Sequence, residues 1–228
     1  MSDESQALEG FRGVVRLFPL PNVVLFPAVV QPLHIFEPRY RQMMAEALDD
    51  DRLLTMVLLQ PGWEETYEER PPVHPVAVVG RVFNEQLLPD GRYNLLLHGL
   101  RRIRIIEELP PNKLYREARV QLLEDVPPTS AAEEQHLRNR LRELLPQLLE
   151  EQSGAEDQVR QLLDNEEMTL GTLCDVFAFA LPLEVGFKQQ LLEELDVVRR
   201  TQALVDQLEA LLPQAKGPRK FPPDFSEN

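Results

Sequence analysis

What this chain lacks narrows it before anything it contains. One cysteine, Cys174, stands in 228 residues. No disulfide can form within the chain, and a reducing compartment is the simplest setting. The opening MSDESQALEG is acidic and holds no apolar targeting core, and no run reaches the roughly 18 apolar residues that span a bilayer. The expectation is a cytoplasmic protein with no membrane partner. Basic charge is scarce as well: 24 Lys and Arg against 38 Asp and Glu leave a formal charge of -14. That balance argues against nucleic acid, because phosphate contacts need a basic face.

The common catalytic signatures are missing too. The sequence holds no G-x-x-x-x-G-K-[ST] phosphate loop and no G-x-G-x-x-G, so nothing is set up to cradle a nucleotide. His34, His74, His98 and His136 are scattered, without H-E-x-x-H or cysteine spacing, and neither a metal nor another cofactor is expected. Cys174 falls on the apolar side of a helical pattern beside Val176 and Phe177, which suits an inert core thiol. Glu64, Glu65, Glu68 and Glu69 read as a solvated loop rather than as paired acid and base. Trp63 and Tyr67 in that loop are either partner anchors or packed against a sheet. Arg101, Arg102 and Arg104 form the one basic cluster, and alternation puts two of them on the outward face of a strand. The protein is read as a non-enzyme.

What is present divides into two halves of different period. Over 10–125 the chain is β-rich, with short apolar runs punctuated by Pro and Gly. VAVVGRVF (76–83) reads as a buried strand with Gly80 at a bulge or close approach. Asp90-Gly91 marks a hairpin. Ile103 and Ile105 alternate with Arg102 and Arg104; Ala118, Val120 and Leu122 alternate with Arg119 and Gln121. One helix belongs to this half: Pro38 suits a first helical position, and Tyr40, Met43, Met44 and Ala47 follow at helical spacing. Over 129–212 the period becomes 3.6. Ser130 and Glu133 form a capping box before Leu137, Leu141, Leu144, Leu145, Leu148 and Leu149, with Pro146 expected to kink or end the helix. Further helical patterns cover Val159–Leu163, Leu170–Leu181 and Phe187 through Leu212. Residues 213–228 have the composition of a flexible tail. The fold class is therefore α+β, a β-rich N-terminal part with one helix followed by a helical bundle.

Three stretches in order, LFPLPNVVLFPAVVQPLHIFEPRY, LPDGRYNLLLHGLRRIRI and LCDVFAFALPLEVGFKQQLLEELDVVRRTQAL, resemble the N-terminal, substrate-binding domain of Lon proteases. The resemblance spans roughly 14–212 and implies a PUA-like β pseudo-barrel backed by a helical bundle. In full-length Lon proteases this domain precedes an ATPase and a protease with a Ser-Lys dyad. With neither signature in this sequence, the resemblance implies a stand-alone, non-catalytic module that binds unfolded or extended polypeptides. An adaptor to a separate AAA+ protease, or a PUA-like RNA binder, is the alternative. An acidic surface would favour basic or unfolded clients.

The stretch Pro21 to Tyr40 supplies the candidate site. Val23, Leu25, Val30, Leu33 and Ile35 are expected inside the barrel, while Phe-Pro in a turn has difficulty burying both rings. Phe26, Pro27, Pro32 and Phe36, with Trp63, are expected to form a shallow apolar surface for extended peptide, aided by exposed strand edges.

Overall fold

A computed structural model describes residues 7–66, 70–149, 155–165 and 167–215. Six strands form one sheet: β1 (Val14–Leu20), β2 (Val30–Ile35), β3 (Leu53–Leu58), β4 (Val76–Leu87), β5 (Tyr93–Glu108) and β6 (Arg116–Leu122). Their order is β2-β5-β4-β3-β1-β6, and β6 also pairs with the C-terminal half of β5. The sheet thus curls back on itself into a pseudo-barrel. β2 hangs outside that circuit on β5 alone, so the six strands together do not make a closed barrel.

The hairpin at Asp90-Gly91 forms as its residues require. Gly91 sits at φ +79°, a conformation costly for any residue with a Cβ, and its N–H donates to Leu88 O at 2.9 Å. β5 is too long to stay straight, and its register against β4 shifts at Val79/Gly80. Backbones crowd there. A Cβ on Gly80 would fall 2.7 Å from His98 O, and one on Gly99 would fall 2.1 Å from Phe26 O.

Two apolar cores result from alternation. Val15, Leu17, Leu53, Val57, Ala77, Val79, Ile103, Ala118 and Val120 come from the five strands of the circuit and fill the barrel interior. The opposite faces of β3, β4 and β5, carrying Leu54, Met56, Val78, Val82, Leu95 and Leu97, join a second core with helix α1 (Pro38–Leu48) and the helices of the C-terminal half. Leu25 and Ile35 are buried in this outer core, not in the barrel; Val23 and Leu33 pack against it half-buried. Val30 is not interior at all but 42% exposed, because β2 leaves the barrel and turns that face to solvent.

The C-terminal half comprises α2 (Ala131–Leu149), α3 (Ala155–Asp164), α4 (Leu170–Ala180), α5 (Val185–Glu193) and α6 (Val197–Ala215). The Ser130 cap is in place, its Oγ accepting from Glu133 N at 3.3 Å. Pro146 does not end α2: Leu144 and Leu145 before it are buried and Leu148 after it packs on the core, which offsets the missing N–H. The apolar pattern from Phe187 to Leu212 is cut into two helices. Glu194 is extended, and Asp196 Oδ1 caps α6 by accepting from Val198 N at 2.9 Å and Arg199 N at 3.1 Å. Among the described residues, no helix is long and apolar enough to cross a membrane. Residues 216–228, most of the expected tail, lie outside the described residues, as do Tyr67, Glu68 and Glu69.

Candidate functional site

The five residues expected to form one apolar surface are distributed by the fold over several places. Phe26 is fully buried, at 0% exposure, in the outer core beside Gly99, so its place on a binding surface is corrected. The turn that carries it folds inward: Ala28 N–H donates to Gly99 O at 2.8 Å and Gly99 N–H to Val29 O at 2.8 Å, which tucks the ring beneath β5. Pro27 is half-buried in a cleft with Arg102, Asp125 and Asp175. Trp63 begins a short 3-10 turn between β3 and β4, at the Val76 end of β4. Pro32 and Phe36 are exposed, and these two do share a surface.

That surface follows from register. Pro32 on β2 lies opposite Leu96 on β5, and Leu96 opposite Phe83 on β4, giving an apolar row across three strands. Flanking rows are Val30, His98 and Arg81 on one side and His34, Asn94 and Gln86 on the other. Phe36, 59% exposed, stacks on His34 with ring centroids 6.1 Å apart. His34 is held in turn: its Nδ1 donates to Asn94 Oδ1 at 2.6 Å, and Arg92 Nη1 donates to its Nε2 at 3.3 Å. A shallow groove of about 650 Å³ runs along Pro32, His34, Asn94 and Leu96. Along β4, Ala77 and Val79 point into the barrel; Arg81 and Phe83, two and four residues on, emerge on the same face beyond it. The face is therefore the barrel lining continued past the barrel's rim.

Phe83 and Leu96 were missed in the sequence although a signal exists. Phe83 shares the parity of Arg81 in VAVVGRVF, and only one face of that strand is continuous with Val78 and Val82.

The basic cluster is rearranged as well. Arg102 is not on an outward face: its side chain is 3% exposed and donates to both oxygens of Asp175, at 2.9 and 2.7 Å, and to Leu192 O at 2.9 Å. The alternation argument failed because α4 and α5 cover that strand. Arg200, fully buried, adds Nε 3.3 Å from Asp175 Oδ1 and a bidentate pair with Asp125 at 3.1 and 2.5 Å. Burial pushes the Asp175 carboxyl up against the pull of both arginines, and pushes the neighbouring Cys174 thiol up to about 12. A thiol so buried and protonated is no nucleophile. Elsewhere, Lys113 Nζ and Tyr115 Oη both donate to Glu46 Oε2, at 2.7 and 2.6 Å, and hold its carboxyl down at about 2. Among the described residues no cluster of three or more His, Cys, Asp or Glu is placed to hold a metal ion.

An α+β domain with this pseudo-barrel, pendant strand and helical bundle has solved counterparts. The Lon N-terminal domain protein from Xanthomonas campestris superposes with a TM-score of 0.62 at 24% identity, covering 85% of this chain and 97% of that one. The N-terminal domain of the Mycobacterium avium complex Lon protease gives 0.67 at 19% identity, covering 86% and 98%. Residues 14–210 match the family model for the ATP-dependent protease La (LON) substrate-binding domain, and the chain belongs to that family. Among curated relatives, Lon protease 2 of Sorangium cellulosum is 33% identical over 202 residues, 84% of this chain and 24% of that protein. Lon protease 2 of Herpetosiphon aurantiacus is 28% identical over 208 residues, 90% of this chain and 25% of that protein. The chain spans about a quarter of the length of the curated relatives it matches.

Proposed function

We propose that the domain recognises extended polypeptide segments on the uncovered face of β2, β5 and β4, and that it binds without breaking bonds. One observation carries this reading: the row Pro32–Leu96–Phe83, with Phe36 beside it, is a contiguous apolar surface on the outside of a folded chain. Membership in a substrate-binding family supports it. The free edge of β2 lies next to this face, so a bound strand has main-chain groups within reach, although Pro32 offers no N–H. Low sequence selectivity is expected of such a surface.

The setting we infer is cytoplasmic, with an AAA+ machine acting on what this domain holds. Unfolded clients and an adaptor role share the same face. An RNA-binding role draws no support from Arg102, which is consumed by Asp175.

The test is fluorescence anisotropy with labelled unfolded casein. The double variant Phe36→Ser/Phe83→Ser should weaken binding by about tenfold or more, since anchors of this kind contribute on the order of 1–2 kcal/mol each. Unchanged binding by the folded double variant would remove this face from consideration.

A further inference from the structure

The chain carries a formal charge of -14, yet its uncovered apolar face holds no carboxylate. The nine positions of its three rows are Val30, His98, Arg81, then Pro32, Leu96, Phe83, then His34, Asn94, Gln86. Arg81 is the one fixed charge among them. It is exposed and makes no ion pair among the described residues.

Five carboxylates on the strands and turns that border the face already hold a guanidinium, while Asp49 makes no ion pair among the described residues. Glu37, next to Phe36, is bound by Arg39 at 2.8 Å; Glu85, at the second β4 bulge, by Arg52 at 2.5 Å; Asp90, in the hairpin, by Arg92 at 2.6 Å. Asp50 and Asp51 lie beyond Leu53, the cross-strand neighbour of Arg81, and both are taken by Arg16 at 2.6 Å. A further cation reaches the hairpin end, where the Arg41 guanidinium lies so close that a Cβ on Gly91 would sit 1.9 Å from Nη2. Most acids near the face already hold a guanidinium, and Arg81, which has no carboxylate partner among the described residues, is left to meet an incoming one.

From this complementarity we infer that the face selects apolar segments flanked by acidic residues, with Arg81 as the group that reads the acid. The inference rests on the peptide-binding reading of this face and reverses, locally, the preference for basic clients that the chain's overall charge suggests. A carboxylate placed beside Pro32, Leu96 and Phe83 in an extended segment can reach Arg81 in the flanking row, while its neighbours cover the apolar centre. Bulk charge acts at long range and is screened beyond about 10 Å in ordinary buffer, whereas a direct contact at Arg81 is weakened far less.

The experiment uses the full chain and three labelled peptides that share one extended Val/Phe/Leu core, flanked by Asp, by Ser or by Lys. At about 0.15 M salt, where the bulk charge is screened, the Asp-flanked peptide should bind about two- to fivefold tighter than the Ser-flanked one, the range expected of one exposed ion pair, and the Lys-flanked one weakest. Arg81→Gln should erase the order and Arg81→Glu should invert it, with thermal melting unchanged in both. Equal binding of all three, or tighter binding of the Lys-flanked peptide, overturns the inference while leaving the face as the binding site, provided Phe36→Ser/Phe83→Ser still weakens binding by about tenfold or more. Binding of none of the three removes the peptide reading itself and the inference with it.

Discussion

Arg102 and Asp175, 73 positions apart in sequence, face each other in a bidentate pair at 2.9 and 2.7 Å and join the β-rich half to the helices. Each is almost wholly out of water, so neither can lose its partner cheaply. Arg102→Ala should cost about 3 kcal/mol, because it leaves the buried Asp175 carboxylate with Arg200 as its one remaining cation among the described residues. Replacing both by apolar residues should recover part of that loss. Urea unfolding of the single and double variants gives the comparison, and a cost under about 1 kcal/mol for Arg102→Ala would show the junction to be held by packing alone.

Phe26 and Phe36 lie ten positions apart and should respond in opposite ways. Phe26→Ala opens a cavity in the outer core and should destabilise by about 3–5 kcal/mol. Phe36→Ser should leave the melting temperature within a degree or two and weaken peptide binding instead. Differential scanning calorimetry paired with anisotropy separates the two effects.

Gly99→Ala tests how closely the Phe26 turn is tied to β5. The added methyl would meet Phe26 O, a backbone atom that cannot swing aside, so destabilisation of at least about 1–3 kcal/mol is expected. A stable variant with an unchanged spectrum would mean that the turn can lift away from the strand.

Glu46 gives a pH dependence with a definite sign. Its carboxyl is held at about 2 by hydrogen bonds from Lys113 and Tyr115, below the ordinary 4.5. The contribution is therefore full above the unfolded value near 4.5 and fades as pH falls toward 2. The urea midpoint of Glu46→Gln should lie below the parent at pH 7 and converge on it as pH falls to about 2. A gap that stays constant across that range would assign the effect to packing rather than to charge.

Cys174 should resist alkylation in the folded chain and react at once in urea, since burial both raises its proton affinity and blocks access. Mass spectrometry after iodoacetamide treatment distinguishes the two states.

Much of the architecture was legible from periodicity. The β-to-α change near residue 125, the Asp90-Gly91 hairpin, the crowded Gly80 and the Tyr40–Ala47 face of α1 each follow from local chemistry and stand in the structure. The candidate surface was legible only in part. Phe36 and Pro32 are exposed as the sequence reading expects, whereas Phe26 was misplaced because its burial depends on Gly99, distant in sequence. Arg102 misled for the same reason: alternation tells which face a residue takes, not what will cover that face. Phe83 and Leu96 join Pro32 through register, which no single stretch of sequence contains.

The circuit of strands has a bearing on how the chain is made. Val14 pairs with Arg119, and β6 must dock against both β1 and β5 before the barrel interior is shut. A ribosome delivering the chain from its N-terminus gives β1 its β3 partner early but leaves its other edge without β6 until just over half of the sequence has emerged, with Val15 and Leu17 not yet shut inside. Loop closure over such a span delays folding, so the emerging half resembles the unfolded segments that its finished form is proposed to hold.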